Sequence, residues 1–172
     1  MADQAAYSLW LRPFGDIAFS LEQHIKKLSK KYDTPQFKPH VTLLGSVKKG
    51  RTELVQLTDT LARSTAPFEI LLTTAAYNNT FYQSLYVKVD PGDELMAARR
   101  RAEKLFGLEA AEPYHPHLSL LYGDLDREEK ERILNVMGRE FHLRFSISSL
   151  LLIRTDGLPR DWEHIHTAEF GG

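Results

Sequence analysis

One short pattern occurs twice in this chain. Residues 39–45 read PHVTLLG and residues 116–123 read PHLSLLYG, so Pro-His-x-Thr/Ser-Leu-Leu stands at two distant positions. The chain holds only 8 Pro and 7 His. A second copy of the pattern that also repeats the hydroxyl and the leucines is therefore not expected by chance. The recurrence indicates an internal duplication of supersecondary structure, with a period too long for a solenoid repeat.

Each copy predicts a strand with two unlike faces. Successive side chains of a strand point to opposite sides. This places His40 beside Thr42 and His117 beside Ser119, with apolar residues on the other side. If the two halves pack about a pseudo-twofold axis, the polar faces converge, and we expect one cleft that gathers two imidazoles and two hydroxyls.

Strand and helix patterns alternate around both copies without a low-complexity linker. Hydrophobic spacing predicts helices from Asp16, over residues 52–63, over residues 93–106 and from Asp126 to about Gly138. The other predicted strands are YSLWLRP, FEILLTTAAY, FYQSLYVKV, FHLRFSISSLLLIRT and WEHIHTAEF. In the first of them Ser8, Trp10 and Arg12 share the polar face. We expect a single domain spanning residues 1–172.

Composition narrows the setting of this domain. With 42% hydrophobic and 26% charged residues, the chain is able to bury a core without a metal or disulfide. Its formal charge of -1 lacks the basic excess of proteins that hold long nucleic acids, and the absence of cysteine excludes thiolate zinc sites and cysteine nucleophiles. The first residues, MADQAAYSLWLRPFGD, show no signal pattern, and no apolar run is long enough for a membrane span. We expect a soluble, cytoplasmic monomer with no membrane partner.

The four polar groups of the doubled motif suit phosphoester hydrolysis. Imidazole titrates near neutral pH, so one histidine is able to accept a proton from water while the other donates one to the leaving oxygen. Thr42 and Ser119 are able to donate hydrogen bonds to non-bridging phosphate oxygens. Base and acid must stand on opposite sides of phosphorus, which a twofold-related pair provides. This scheme requires no metal and no cofactor.

Other polar patterns are weaker. His115-x-His117 and His164-x-His166 have a spacing found in some zinc sites, but neither is completed by a third ligand at suitable spacing. Arg99, Arg100 and Arg101 are interpreted as an exposed helical face, because consecutive helix residues point in different directions.

The doubled His-x-Thr/Ser strands resemble the signature of the 2H phosphoesterase superfamily, and within it the chain looks most like the plant and fungal cyclic phosphodiesterases. The resemblance is densest around PYHPHLSLLYGDLDREEKE, residues 113–131, and extends more thinly to YSLWLRP, FKPHVT, FYQSLY and DWE. It implies an α+β fold, bilobal and pseudo-twofold, with two antiparallel sheets lining a central cleft and helices outside.

The resemblance also implies an activity. Enzymes of this type hydrolyse ADP-ribose 1'',2''-cyclic phosphate, a by-product of tRNA splicing, and convert nucleoside 2',3'-cyclic phosphates to 2'-phosphates. Carried over by motif position, the implied catalytic pair is His40 and His117, and the implied phosphate ligands are Thr42 and Ser119. The implied pocket aromatics are Trp10, Tyr82 and Tyr122. Strand alternation alone places Tyr122 opposite the histidine face, so its role requires a bend at the end of the strand.

Several alternatives stay open at this stage. Plant relatives carry cysteines around the loop before the second motif, whereas GLEAAEPYHPH here has none, and we expect no redox control of that loop. RNA ends with a 2',3'-cyclic phosphate are an alternative substrate, and a nucleotide- or RNA-end-binding module without turnover is the alternative of another class. For products bearing a 2'-phosphate, His117 is predicted as the base and His40 as the acid.

Overall fold

The computed structural model describes residues 5–109 and 112–171. Within these ranges four α-helices and eight strands follow one another in the order β1 Tyr7–Leu11, α1 Gly15–Tyr32, β2 Val41–Val47, α2 Arg51–Arg63, β3 Phe68–Tyr77, β4 Leu85–Val89, α3 Asp93–Phe106, β5 His117–Leu121, α4 Arg127–Met137, β6 Glu140–Ile147, β7 Ser149–Arg154 and β8 Glu163–Glu169. Residues 110 and 111 of the cysteine-free loop and residues 1–4 of the N-terminal stretch lie outside the described part.

The strands form one antiparallel sheet in the order β6-β3-β4-β5-β2-β1-β7-β8. The two motif strands β5 and β2 stand at its centre, where the paired positions are Val41 and Leu118. Each half of the sheet therefore has four strands, and the halves repeat the order of strands and helices around their motif strand. The predicted α+β fold is confirmed. The two predicted sheets are joined edge to edge as halves of one curled sheet.

The helices cover the apolar face of this sheet. Helix α1 packs on β5 and α3 on β2, so each helix bridges to the motif strand of the other half, while α2 packs on β7 and β8 and α4 on β3. The alternating positions Leu9, Val41, Leu43 and Leu118 are buried in the main core beneath them. Burial of these residues leaves the opposite face of β1, β2 and β5 for the polar side chains.

Several element boundaries differ from the sequence prediction. Residues 81–83 form a single 3-10 turn, and the strand begins only at Leu85. FHLRFSISSLLLIRT is two strands, β6 and β7, which lie in different halves of the sheet. Asp16 lies in the first turn of α1, behind Phe14 at the cap position, whereas Asp126 caps α4 as predicted by accepting a hydrogen bond from the Glu129 N–H at 3.0 Å.

No helix in the described part of the chain has the length and apolar character that a membrane crossing requires.

Candidate active site

The pairing of the two motif strands brings their polar groups together. Val41 stands opposite Leu118 in an antiparallel register. Extending that register by one residue in each direction places His40 across from Ser119 and Thr42 across from His117. Each imidazole thus lies beside the hydroxyl of the other half of the sheet.

All seven residues predicted for the site line one central cavity of about 270 Å³. They are Trp10, His40, Thr42, Tyr82, His117, Ser119 and Tyr122. Their gathering agrees with the geometry that the doubled motif predicts, and their chemical roles stay predictions.

The two imidazoles are anchored in the same way. His40 Nδ1 lies 2.7 Å from the carbonyl oxygen of Lys38, and His117 Nδ1 lies 2.9 Å from that of His115. A carbonyl oxygen only accepts, so each Nδ1 carries the proton of its hydrogen bond. In the neutral rings Nε2 is then the basic nitrogen, and both Nε2 atoms are available for proton transfer.

The His40 ring is further fixed by an aromatic neighbour. Trp10 stacks on it face to face, with ring centroids 3.5 Å apart and an interplanar angle of 7°. Trp10 pairs with Thr42 across β1 and β2, so all three side chains share the cavity face. Only 7% of His40 is exposed. The stack leaves the imidazole little freedom to rotate.

The two hydroxyl groups have different surroundings. Ser119 Oγ is buried and donates a hydrogen bond to the carbonyl oxygen of Tyr82 at 2.9 Å. A phosphate that takes this donor therefore replaces an internal bond. Thr42 is half-buried, and its carbonyl oxygen accepts a hydrogen bond from the hydroxyl of Tyr114 at 2.8 Å. Tyr114 ties the segment before the second motif to β2.

Tyr122 reaches the cavity because its strand has already ended. Strand β5 stops at Leu121, and the Gly123 N–H donates a hydrogen bond to the carbonyl oxygen of Phe81 at 2.9 Å. Gly123 has a φ of 146°, and a Cβ atom there would lie 3.0 Å from the Thr34 side chain, so glycine is required at this turn. The predicted bend is present, and it removes the conflict with strand alternation.

The cavity also has residues that the sequence did not single out as a site: Ser8, Gly45, Ser46, Thr155 and Trp162. Trp162 contacts Trp10 edge to face at a centroid distance of 5.6 Å and lies nearly parallel to Tyr82 at 6.1 Å. The only sequence signal for Trp162 was the short match DWE.

Ser46 marks an irregularity at the end of β2. Its φ is 56°, a left-handed value that is uncommon outside glycine. The register between β1 and β2 shifts in the same stretch, between the pairs Tyr7–Val47 and Leu9–Leu44. Strand alternation does not reveal such a bulge, which explains why Ser46 was missed as a cavity residue.

Arg99 is half-buried, whereas the sequence predicts that it lies on an exposed helical face. Its guanidinium lies over the Tyr114 ring at 4.7 Å and donates a hydrogen bond to the Leu43 carbonyl oxygen at 2.5 Å. Arg100 and Arg101 are exposed as predicted. Arg99 thus braces the Tyr114 segment against β2.

The other histidines do not assemble a metal site. Across residues 5–109 and 112–171, no group of three or more His, Cys, Asp or Glu side chains comes close enough to hold a metal ion. His166 Nε2 pairs with Asp59 at 2.7 Å, and His164 Nε2 lies 2.8 Å from the Thr167 hydroxyl.

Burial controls the charge of both cavity histidines. The pKa of His40 is lowered to about 3, chiefly because burial disfavours the imidazolium, with the charges of Arg12 and His117 acting in the same direction. Burial also lowers the pKa of His117, and His115 adds to that effect. The hydrogen bonds to the backbone carbonyls oppose these shifts. Both imidazoles are therefore neutral at pH 7 in the substrate-free protein.

The depressed pKa of His40 predicts a loss of stability in acid. The unfolded chain binds a proton at His40 below its ordinary pKa of about 6.5, whereas the folded chain does so only near 3. Between these values unfolding takes up a proton, so the free energy of unfolding falls by up to about 1.4 kcal/mol per pH unit as the pH falls. Urea unfolding at a series of pH values should show a shallower slope for His40→Asn than for the parent, and equal slopes would contradict the burial argument.

Two His-x-Thr/Ser strands that meet at the centre of a pseudo-twofold antiparallel sheet define the class of 2H phosphoesterases. The family model of the 2'-5' RNA ligase superfamily matches residues 17–159, and the chain belongs to this superfamily. The family predicted from the doubled motif is thereby confirmed.

Two curated relatives align with most of the chain. A cyclic phosphodiesterase of Arabidopsis thaliana is 25% identical over 154 residues, covering 87% of this chain and 85% of the relative. A 2',3'-cyclic-nucleotide 3'-phosphodiesterase of Yarrowia lipolytica is 26% identical and covers 95% and 99% of the two chains.

Solved structures share the fold at low sequence identity. The protein TT0787 of Thermus thermophilus superposes with a TM-score of 0.70 at 15% identity, covering 97% of this chain and 98% of its own. E. coli LigT, solved in complex with 3'-AMP, gives a TM-score of 0.69 at 12% identity, covering 99% and 100%.

Proposed function

We propose that this protein is a metal-independent cyclic phosphodiesterase with two-histidine acid-base catalysis. Its proposed substrates are ADP-ribose 1'',2''-cyclic phosphate, opened to ADP-ribose 1''-phosphate, and nucleoside 2',3'-cyclic phosphates, opened to nucleoside 2'-phosphates. The observation that carries the proposal is the placement of His40 and His117, each anchored through Nδ1 and each beside the hydroxyl of the other half. The names of the two curated relatives support the same enzyme class.

The proposed reaction uses one proton transfer at each histidine. One Nε2 accepts a proton from water as the water oxygen bonds to phosphorus, and the other histidine, which enters the reaction as the imidazolium, donates its Nε2 proton to the ribose oxygen whose bond to phosphorus breaks. Thr42 and Ser119 donate hydrogen bonds to the non-bridging oxygens, where negative charge increases. For a 2',3'-cyclic phosphate that yields a 2'-phosphate, the bond that breaks is the one to O3'.

The aromatic residues suit the nucleoside part of such a substrate. Tyr82 is 48% exposed at the cavity, and Trp162 faces it at a centroid distance of 6.1 Å with 29° between the planes. Stacking of a base on an aromatic ring stabilises binding without demanding one base. We infer that the nucleoside lies against Tyr82, Tyr122 and Trp162.

The burial of His40 favours a role assignment opposite to the one predicted from sequence. An acid must carry its proton before the reaction, and a ring with a pKa of about 3 is neutral at the pH of the cell. His117 is less buried, so its imidazolium is the easier one to form. We therefore infer that His40 is the base and His117 the acid.

Turnover in the presence of a chelator tests the proposal. ADP-ribose 1'',2''-cyclic phosphate, 2',3'-cyclic AMP and an oligonucleotide ending in a 2',3'-cyclic phosphate are incubated with the protein in excess EDTA, and the products are identified. We expect turnover of the two small substrates, with 2'-AMP from the nucleotide. Turnover of the oligonucleotide alone would favour RNA ends, binding without turnover would favour the non-catalytic module, and activity lost to EDTA would overturn the metal-independent mechanism.

A further inference from the structure

The strands that flank the motif strands carry a second repeated pattern. Trp10-Leu11-Arg12 lies at the end of β1, beside β2, and Tyr86-Val87-Lys88 lies in β4, beside β5. Both read aromatic, aliphatic, cation. Each half of the sheet thus carries a histidine, a hydroxyl, an aromatic ring and a cation on two neighbouring strands.

The register places each cation next to one histidine. In β4 and β5 the paired positions are Lys88 with His117 and Tyr86 with Ser119. In β1 and β2 Leu11 pairs with Val41, so one further step puts Arg12 across from His40. The charge of Arg12 accordingly lowers the pKa of His40.

Lys88 and His117 occupy the closer kind of cross-strand pair. The N–H of Val89 donates to the carbonyl oxygen of Pro116 at 3.1 Å, which makes positions 89 and 116 a hydrogen-bonded pair. Positions 88 and 117 are therefore a non-hydrogen-bonded pair, in which side chains approach most closely.

The two cations differ in their surroundings. Arg12 is half-buried, and its Nε is buried without a hydrogen-bond partner among the described residues. Lys88 is exposed, and its ammonium takes part in none of the ion pairs or hydrogen bonds among the described residues. The cation beside His117 is thus the one that is open to solvent.

The surroundings of the two histidines differ in the same sense. On the His40 side, the cavity residues Trp10 and Trp162 pack with Leu151 and Ile153 in one apolar cluster. On the His117 side the neighbouring ring is Tyr86, at a centroid distance of 5.4 Å, followed along the same face of β4 by Lys88. A nucleotide substrate thus finds an aromatic surface for its nucleobase near His40 and a cation for an additional negative charge near His117.

We propose that Lys88, beside Tyr86, forms a subsite for a second anionic group of the substrate. The preferred substrates are then cyclic phosphates that also carry a pyrophosphate or a 5'-phosphate. This inference rests on the proposed phosphodiesterase activity, and it assigns the cation on the His117 side to a substrate group other than the reacting phosphate.

The test compares substrates that differ in their second anion. The kcat/KM of the parent, Lys88→Gln and Lys88→Arg is measured for 2',3'-cyclic AMP, its 5'-phosphorylated form and ADP-ribose 1'',2''-cyclic phosphate. We expect Lys88→Gln to lower kcat/KM for the two doubly anionic substrates by about fivefold relative to 2',3'-cyclic AMP, mainly through KM, as for one solvent-exposed charge contact. Lys88→Arg should keep the parental ratio of kcat/KM for the doubly anionic substrates to kcat/KM for 2',3'-cyclic AMP. Added salt should reduce this ratio in the parent.

Lys104→Gln is the matched control, because Lys104 is an exposed lysine on α3 that does not line the cavity. It should leave the ratio unchanged. An unchanged ratio in Lys88→Gln, or an equal loss on all three substrates, overturns the subsite. Failure of the parent protein to turn over any of the three overturns the proposed function instead, so the two failures are distinguishable.

Discussion

Replacing His40 or His117 with asparagine is expected to lower kcat/KM for 2',3'-cyclic AMP by about a thousandfold in either variant, the range typical of a lost acid or base. Asparagine keeps an N–H close to the position of Nδ1, so the hydrogen bonds to the carbonyl oxygens of Lys38 and His115 are able to persist. What the substitution removes is Nε2. The measurement is steady-state hydrolysis, together with the Kd of 2'-AMP by calorimetry.

The affinity for 2'-AMP should change less than tenfold in both variants, because the hydroxyls and the aromatic wall remain. His164→Asn is the control, since His164 is exposed on β8 and does not line the cavity. It should retain parental activity. A variant of His40 or His117 that kept more than a tenth of the parental kcat/KM would show that its Nε2 carries no essential proton.

The doubled motif made the site predictable because its information is local. Alternation along β2 and β5 fixes which side chains share a face, and Val41 and Leu118 are buried in the core as that pattern requires. Ser8 and Trp10 likewise share the cavity face of β1, as the polar side of YSLWLRP indicates. No knowledge of distant contacts was needed for these assignments.

Long-range pairing was beyond the same reasoning. That Val41 stands opposite Leu118 follows from how two halves of the chain meet, and nothing in either strand specifies its partner. The position of Lys88 opposite His117 likewise follows from the pairing of β4 with β5, which neither strand specifies alone. The sequence thus predicts the composition of the site more completely than the neighbours of each group.

The closing strands show how burial on both faces hides a boundary. Leu150 and Leu152 of β7 belong to the main core, whereas Leu151 and Ile153 pack with Trp10 and Trp162 on the other face. An unbroken apolar run therefore appears where a strand is covered twice. This run obscured both the crossing between β6 and β7 and the contribution of Trp162 to the cavity.

The final prediction separates the base from the acid by changing the leaving group. A bell-shaped pH profile reports two ionisations, but it is the same whichever histidine carries the proton, because the two protonation states differ only in proton position. In 3'-deoxyadenosine 2'-(4-nitrophenyl phosphate), which keeps the bond from phosphorus to O2', the leaving group is a nitrophenolate that needs no proton. If His117 is the acid, His117→Asn should recover most of the parental rate on this ester, a gain of about a hundredfold or more relative to its defect on 2',3'-cyclic AMP.

His40→Asn should stay inactive on both substrates, because a base is needed to activate water whatever the leaving group. The comparison contains its own control, since each variant is measured against itself on the two esters. Recovery in His40→Asn instead would restore the assignment of His117 as base, and it would require that the bound phosphate raise the pKa of His40 far above its value of about 3 in the free protein. The negative charge of the phosphate is the interaction able to do so, opposing both burial and the charge of Arg12. The outcome therefore measures whether burial or the substrate controls the proton at the centre of this site.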